Sequence, residues 1–181
     1  MLNMSRILLL NPNKWGRGIT TIWIASHSAL LKKNGHQVEL FDSTFYKDWS
    51  DHELKFNTKN KQYKVSDYYK KIKFKEVSVH KDLQKKINEF DPEIIFWSAL
   101  SSHIHGEGEY VNIEHGYNLL KNLNYKGILV AGGIQVTANV EKVFSQFNNI
   151  DIFIRGESEF VLLDIANEIN NTNFKLKING N

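Results

Sequence analysis

The sequence predicts a doubly wound α/β fold, and three observations carry the prediction. Short, continuously apolar runs of strand length recur along the chain, as expected of strands buried on both faces. Each is followed by a segment with apolar residues at helical spacing. Five such strand-then-helix units come in a row, the pattern of a parallel sheet covered by helices. With 181 residues the chain is long enough to bury a sizeable core in one domain.

Arg6–Asn11 (RILLLN) reads as the first strand, and the loop after it is punctuated by Pro12, Gly16 and Gly18. Thr20–Asn34 reads as a helix with Ile22, Ala25, Ala29 and Leu30 on one face, and Gly35 stands where a C-terminal cap belongs. Gln37–Asp42 is the second strand. His80–Phe90 carries a stripe of Leu83, Ile87 and Phe90, and Asp91-Pro92 ends it. Glu93–Ser98 follows as the third strand, then a helix over Glu109–Leu123 with Ile113, Tyr117, Leu120 and Leu123 on one face. Gly127–Ala131 is the fourth strand, and Val140, Val143, Phe144 and Phe147 mark a short helix. Ile150–Ile154 is the fifth strand, and Val161, Ile165 and Ile169 mark the last helix. The expected sheet is five-stranded and parallel, with the flavodoxin-like (Rossmann-like) order 2-1-3-4-5.

One stretch breaks the rhythm. Residues 43–79 hold nine lysines, Lys47 and the eight from Lys55 to Lys75, interleaved with tyrosine and phenylalanine. Such a mixture can serve a single-stranded nucleic-acid surface. A solvated insertion whose aromatics pack on the sheet edge is the favoured reading. Residues 1–170 then form one domain with an insertion at 43–79, and the asparagine-rich 171–181 reads as a linker or tail.

Composition excludes several classes. The chain has no cysteine, so it offers no disulfide, thiolate metal site, iron–sulfur ligation or cysteine nucleophile. That absence points to a cytoplasmic setting. No apolar run approaches the roughly 20 residues of a membrane helix, and no secretory signal is evident. The net charge is +3, and lysine supplies 20 of the 23 basic residues. That balance suits solvation better than bidentate phosphate recognition.

Ligands of such sheets bind outside the carboxyl ends of the strands, so the loops there are where function is expected. The first, Asn11-Pro12-Asn13-Lys14-Trp15-Gly16, is neither a P-loop nor a GxGxxG fingerprint, though its backbone amides suit an anionic group. The second runs from Ser98-Ala99-Leu100 through Ser101, His103 and His105 to Gly108, the most polar loop of the chain. The third opens with Gly132-Gly133 and continues to Gln135 and Thr137; without side chains at its start, a ligand can touch main chain. The fourth is Arg155-Gly156-Glu157-Ser158-Glu159, with Ser158 expected to cap the last helix. His103-x-His105 without a firm third ligand is a weak metal signal, so no metal site is expected. His27 and His36 flank the first helix, and no chemical role is expected of them.

Taken together, these segments resemble the cobalamin-binding domain, and most of all the amino-terminal domain of cobalamin-dependent radical SAM enzymes. The superfamily pattern is DxHxxG after the first strand, SxL after the third and GG after the fourth. Here Ser98-Ala99-Leu100 and Gly132-Gly133 match, and "ILLLNP", "KKNGHQVELFD", "DPEIIFWSAL", "ILVAGG" and "DIFIRGESE" follow the radical SAM branch in order and spacing over Arg6–Ile169.

The resemblance implies a cobalamin-binding module whose chemistry, methyl transfer or a radical reaction, belongs to the cofactor and a catalytic partner. Ser98 would hydrogen-bond the displaced benzimidazole, Leu100 would shape its slot, and Gly132 and Gly133 would leave room for the tail. Cofactor contacts are also implied for Asn11, Asn13, Trp15, Gly16, Ser101, His103, Gln135, Arg155, Gly156 and Glu157. Asn13 stands where the cobalt-ligating histidine of DxHxxG belongs, and an amide is a poor cobalt ligand. The cofactor would therefore be held without a histidine from this loop, as the radical SAM branch commonly does. No residue is assigned a catalytic role, because CxxxCxxC is absent. The iron–sulfur cluster and S-adenosylmethionine would reside on a radical SAM domain in cis or in trans. The alternative is a flavodoxin-like regulatory or protein-interaction module with no corrin.

Overall fold

The computed structural model describes residues 4–15, 22–50, 71–99, 113–138 and 140–169. The five strands are β1 (Arg6–Asn11), β2 (Gln37–Asp42), β3 (Ile94–Ser98), β4 (Ile128–Gly132) and β5 (Ile152–Phe153). All pair in parallel, in the order β2-β1-β3-β4-β5. The expected fold class and strand order are therefore observed. The helices are α1 (Ile22–Lys33), α2 (Val79–Phe90), α3 (Ile113–Leu120), α4 (Ile134–Ala138), α5 (Val140–Gln146) and α6 (Glu159–Glu168).

Alternation along the central strands builds two cores. Leu8, Leu10, Ile95, Trp97 and Ala131 face one side, where they meet Leu83 and Ile87 of α2, Ile113 and Leu119 of α3 and Val143 of α5. Ile7, Leu9, Ile94, Phe96 and Val130 face the other, against Trp23 and Leu31 of α1 and Leu162 and Ala166 of α6. This is why β1 and β3 read as unbroken apolar runs: both of their faces are buried.

Several boundaries and faces differ from the sequence reading. Helix α1 buries Trp23, His27 and Leu31, at i, i+4 and i+8, while Ile22, Ala25 and Ala29 are exposed. The buried stripe contains a histidine, so a purely apolar pattern selects the wrong face. Phe144 and Val161 are likewise exposed, and Leu162 and Leu163 take the buried face of α6. β5 is assigned only Ile152–Phe153, although Asp151 N and Ile154 N still donate to Leu129 O and Ala131 O on either side. A short helix, α4, stands directly after Gly133 where a loop is expected.

The start of the lysine-rich segment is anchored. Tyr46 is fully buried, stacks on Phe41 of the edge strand at 5.5 Å, and bridges Lys75. Its hydroxyl donates to Asp82 and accepts from Lys75 Nζ at 2.9 Å. Burial first and the Asp82 hydrogen bond second push this phenol above its ordinary pKa. Residues 51–70 and 170–181 lie outside the described set.

At the amino end of the sheet, Ser5 N donates to His36 Nδ1 at 3.2 Å, and His36 Nε2 meets Asn167 Oδ1 at 3.2 Å. His36 thus ties β1 to α6.

Candidate functional site

The carboxyl ends of β3 and β4 lie side by side, with Ser98 in register with Gly132. Ala99 N donates to Gly132 O at 2.8 Å, and Gln135 N reaches Ala99 O at 3.4 Å, so the two loops leave the sheet joined. Ser98 follows Ile94 and Phe96 on the α1/α6 face of the sheet, by the two-residue period of the strand. Its hydroxyl makes no hydrogen bond among the described residues.

Gly133 explains why glycine stands there. Its φ is +100°, a conformation L side chains rarely adopt, and a Cβ would lie 2.6 Å from Ala99 O and 2.8 Å from Ser98 Oγ. Gly132 is less constrained, and a Cβ there would meet the Phe96 ring at 3.3 Å and Ser158 Cβ at 3.4 Å. The absent side chains keep the space in front of Ser98 clear.

That space is a cavity of about 410 Å³, within the roughly 300–1,000 Å³ of small-molecule sites. Ser98 and Gly133 form its sheet side, Trp23 and His27 come from α1, and Gly156, Glu157 and Ser158 come from the loop before α6. Thr137 stitches the rim: its hydroxyl donates to Gly133 O at 3.0 Å and accepts from Gly156 N at 2.8 Å.

His27 joins α1 to α6 across this cavity. Its Nδ1 lies 2.6 Å from Trp23 O, which can only accept, so Nδ1 carries the proton. Nε2 is then an acceptor, and the Ser158 hydroxyl donates to it at 2.8 Å. The ring stacks on Phe96 at 4.9 Å. Desolvation by burial, opposed by the Trp23 hydrogen bond and the Glu159 charge, holds its pKa below the ordinary imidazole value. Ser158 therefore does not cap α6 with its side chain, because its hydroxyl is turned to His27 and its backbone is already helical.

The sequence-predicted residues separate into groups. Ser98, Gly133, Gly156 and Glu157 line the one cavity, with Gly132 beneath it. Arg155 is exposed beside it and is not part of its lining. Asn11 and Asn13 lie by the end of β2 instead: Ser43 Oγ donates to the carbonyl of Asn13 at 2.8 Å, and Asn13 Nδ2 donates to Thr44 Oγ1 at 3.3 Å. Asn11 O accepts from Ser43 N at 3.0 Å. Trp15 packs against Phe45 and Phe74. The side-chain carbonyl of Gln135 accepts from Ile113 N at 2.9 Å, capping α3. Gly16, Leu100, Ser101 and His103 lie outside the described residues.

Trp23, His27 and Ser158 are among the lining residues that the sequence reading did not assign to the site, with Ile134, Thr137, Ala138 and Glu159. The signal was present as Trp23, His27 and Leu31 at four-residue spacing, which identifies the histidine as inward-facing only if a polar residue is allowed into the stripe.

No protein-family model matches the chain, and no curated protein matches it by sequence. Solved structures do match. The radical S-adenosylmethionine methyltransferase TsrM from Kitasatospora setae, solved with cobalamin and an iron–sulfur cluster bound, superposes with a TM-score of 0.61 at 18% identity. That match covers 92% of this chain and 26% of TsrM. OxsB, a cobalamin-dependent S-adenosylmethionine radical enzyme solved with aqua-cobalamin, gives a TM-score of 0.53 at 16% identity, covering 97% of this chain and 20% of OxsB. At these identities the likeness is one of fold. This chain spans about a quarter or less of each neighbour.

Proposed function

We propose that this chain is a cobalamin-binding module, with the cofactor's nucleotide tail held in the cavity between β3, β4, α1 and α6. The observation that carries the reading is the Ser98 hydroxyl, without a partner among the described residues, lining a cavity beside Gly133, where a Cβ would lie 2.8 Å from that hydroxyl. The fold neighbours solved with cobalamin support it.

Each residue then has a physical task. Ser98 donates a hydrogen bond to the tail base, and Gly132 and Gly133 let the tail approach main chain. Trp23 and His27 line the cavity beside it, each packed on the fully buried Phe96 ring behind them. Asn13 is 2% exposed and its amide nitrogen donates to Thr44, and with asparagine in place of histidine this position supplies no imidazole to cobalt. Cobalamin itself supplies methyl-transfer or radical chemistry. The iron–sulfur cluster and S-adenosylmethionine belong to a radical SAM domain in cis or in trans, since this chain has no cysteine.

The test is retention of hydroxocobalamin through a desalting column. The reading predicts one corrin per chain in the protein fraction, and protein that elutes free of corrin overturns it.

A further inference from the structure

The polar lining of the cavity includes two serines in different hydrogen-bonding states, Ser98 and Ser158. The proton on His27 Nδ1 is fixed by Trp23 O, so Nε2 accepts and the Ser158 hydrogen is committed to it. What Ser158 offers to a ligand is its oxygen lone pairs. Ser98, without a hydrogen-bond partner among the described residues, is free to donate. The two serines flank Gly132: Ser98 pairs with it across the strands, and Ser158 Cβ is the neighbour its own Cβ would meet at 3.4 Å. One donor and one acceptor are thus presented on either side of a glycine, with the carboxylates of Glu157 and Glu159 also in the lining.

A base with only a ring nitrogen and methyl groups satisfies Ser98 and leaves Ser158 facing carbon. A base with a ring nitrogen next to an exocyclic amine satisfies both, because the amine donates to Ser158 Oγ. We propose, resting on the corrinoid reading above, that the slot selects a tail base carrying an exocyclic amine, adenine over dimethylbenzimidazole. Ser158 is the specificity-determining residue and His27 the positioning residue that holds its hydrogen.

The test is isothermal titration of the protein with three corrinoids: adenine-tailed, dimethylbenzimidazole-tailed and tailless. One added neutral hydrogen bond predicts an adenine-tailed complex about three- to tenfold tighter than the benzimidazole-tailed one. Ser158→Ala should bring that ratio close to one. Ser98→Ala should weaken both tailed ligands relative to the tailless one and leave their ratio intact. Because each readout is a ratio within one variant, a general loss of stability does not imitate it. Equal or tighter binding of the benzimidazole tail, or a ratio that survives Ser158→Ala, overturns the selectivity while the corrinoid reading stands. Equal binding of all three ligands overturns the tail slot. Binding of none overturns the corrinoid reading as well. Free adenosine that binds as tightly as the adenine-tailed ligand would make this a nucleoside site and overturn the proposal.

Discussion

Ser98 Oγ and the α-carbon of Gly133 are so close that a methyl group on residue 133 would stand 2.8 Å from the hydroxyl oxygen. The two motifs that the sequence presents 35 positions apart are thus one surface, because parallel pairing puts Ser98 beside Gly132. Anything bound against that surface meets both.

Gly133→Ala should therefore act twice. The positive φ and the clash with Ala99 backbone should cost about 1–3 kcal/mol of stability, read as a lower urea midpoint. Corrin retention should fall further than stability alone accounts for. Ser98→Ala, which removes a hydroxyl with no hydrogen-bond partner among the described residues, should leave the urea midpoint nearly unchanged and weaken retention.

Gly116 of α3 gives a second test in which the usual sign reverses. Glycine to alanine in a helix interior ordinarily gains up to about 1 kcal/mol. Here the new Cβ would land on the indole of Trp97, which is fully buried. Gly116→Ala should lower stability by about 1–3 kcal/mol, as overpacking does. A raised urea midpoint would show that the indole has room to move.

Tyr46 tests whether the start of the lysine-rich segment belongs to the core. Tyr46→Ala should cost about 3–5 kcal/mol, as for other large aromatic truncations. Tyr46→Phe keeps the ring on Phe41 and removes the bonds to Asp82 and Lys75, for about 1 kcal/mol. If both variants unfold like the parent, the tyrosine is a surface residue.

His27 makes stability depend on pH. Its folded pKa lies below the unfolded value of 6.5, so the unfolded chain binds the proton more readily. The stabilisation from its neutral form is fully present above that value and is lost as pH falls through it toward the folded pKa. Unfolding free energy should drop as pH is lowered through 6.5 toward the folded pKa, and His27→Gln should flatten that drop. An unchanged slope in the variant would assign the dependence to other groups.

The strands and their order are legible in the sequence because both faces of the central strands are buried, which leaves unbroken apolar runs with little helical alternative. The face of α1 is not legible, because His27 has its nitrogens satisfied by Trp23 O and Ser158, 131 positions away for the latter. Ser158 reads as a helix cap for the same reason: its residue type suits the position, and only tertiary structure turns the hydroxyl elsewhere. The adjacency of Ser98 and Gly132-Gly133 follows once the strand order is known. Gln135 and Asn13 carry polar groups whose partners, Ile113 N and Thr44, are set by packing that no local pattern encodes.

The most direct measurement of the central claim is the visible spectrum of the corrin retained by the protein at neutral pH. A tail held in the slot beside Ser98 must have left the cobalt, so the account predicts a spectrum with the benzimidazole displaced. A retained corrin whose benzimidazole still coordinates cobalt would contradict it.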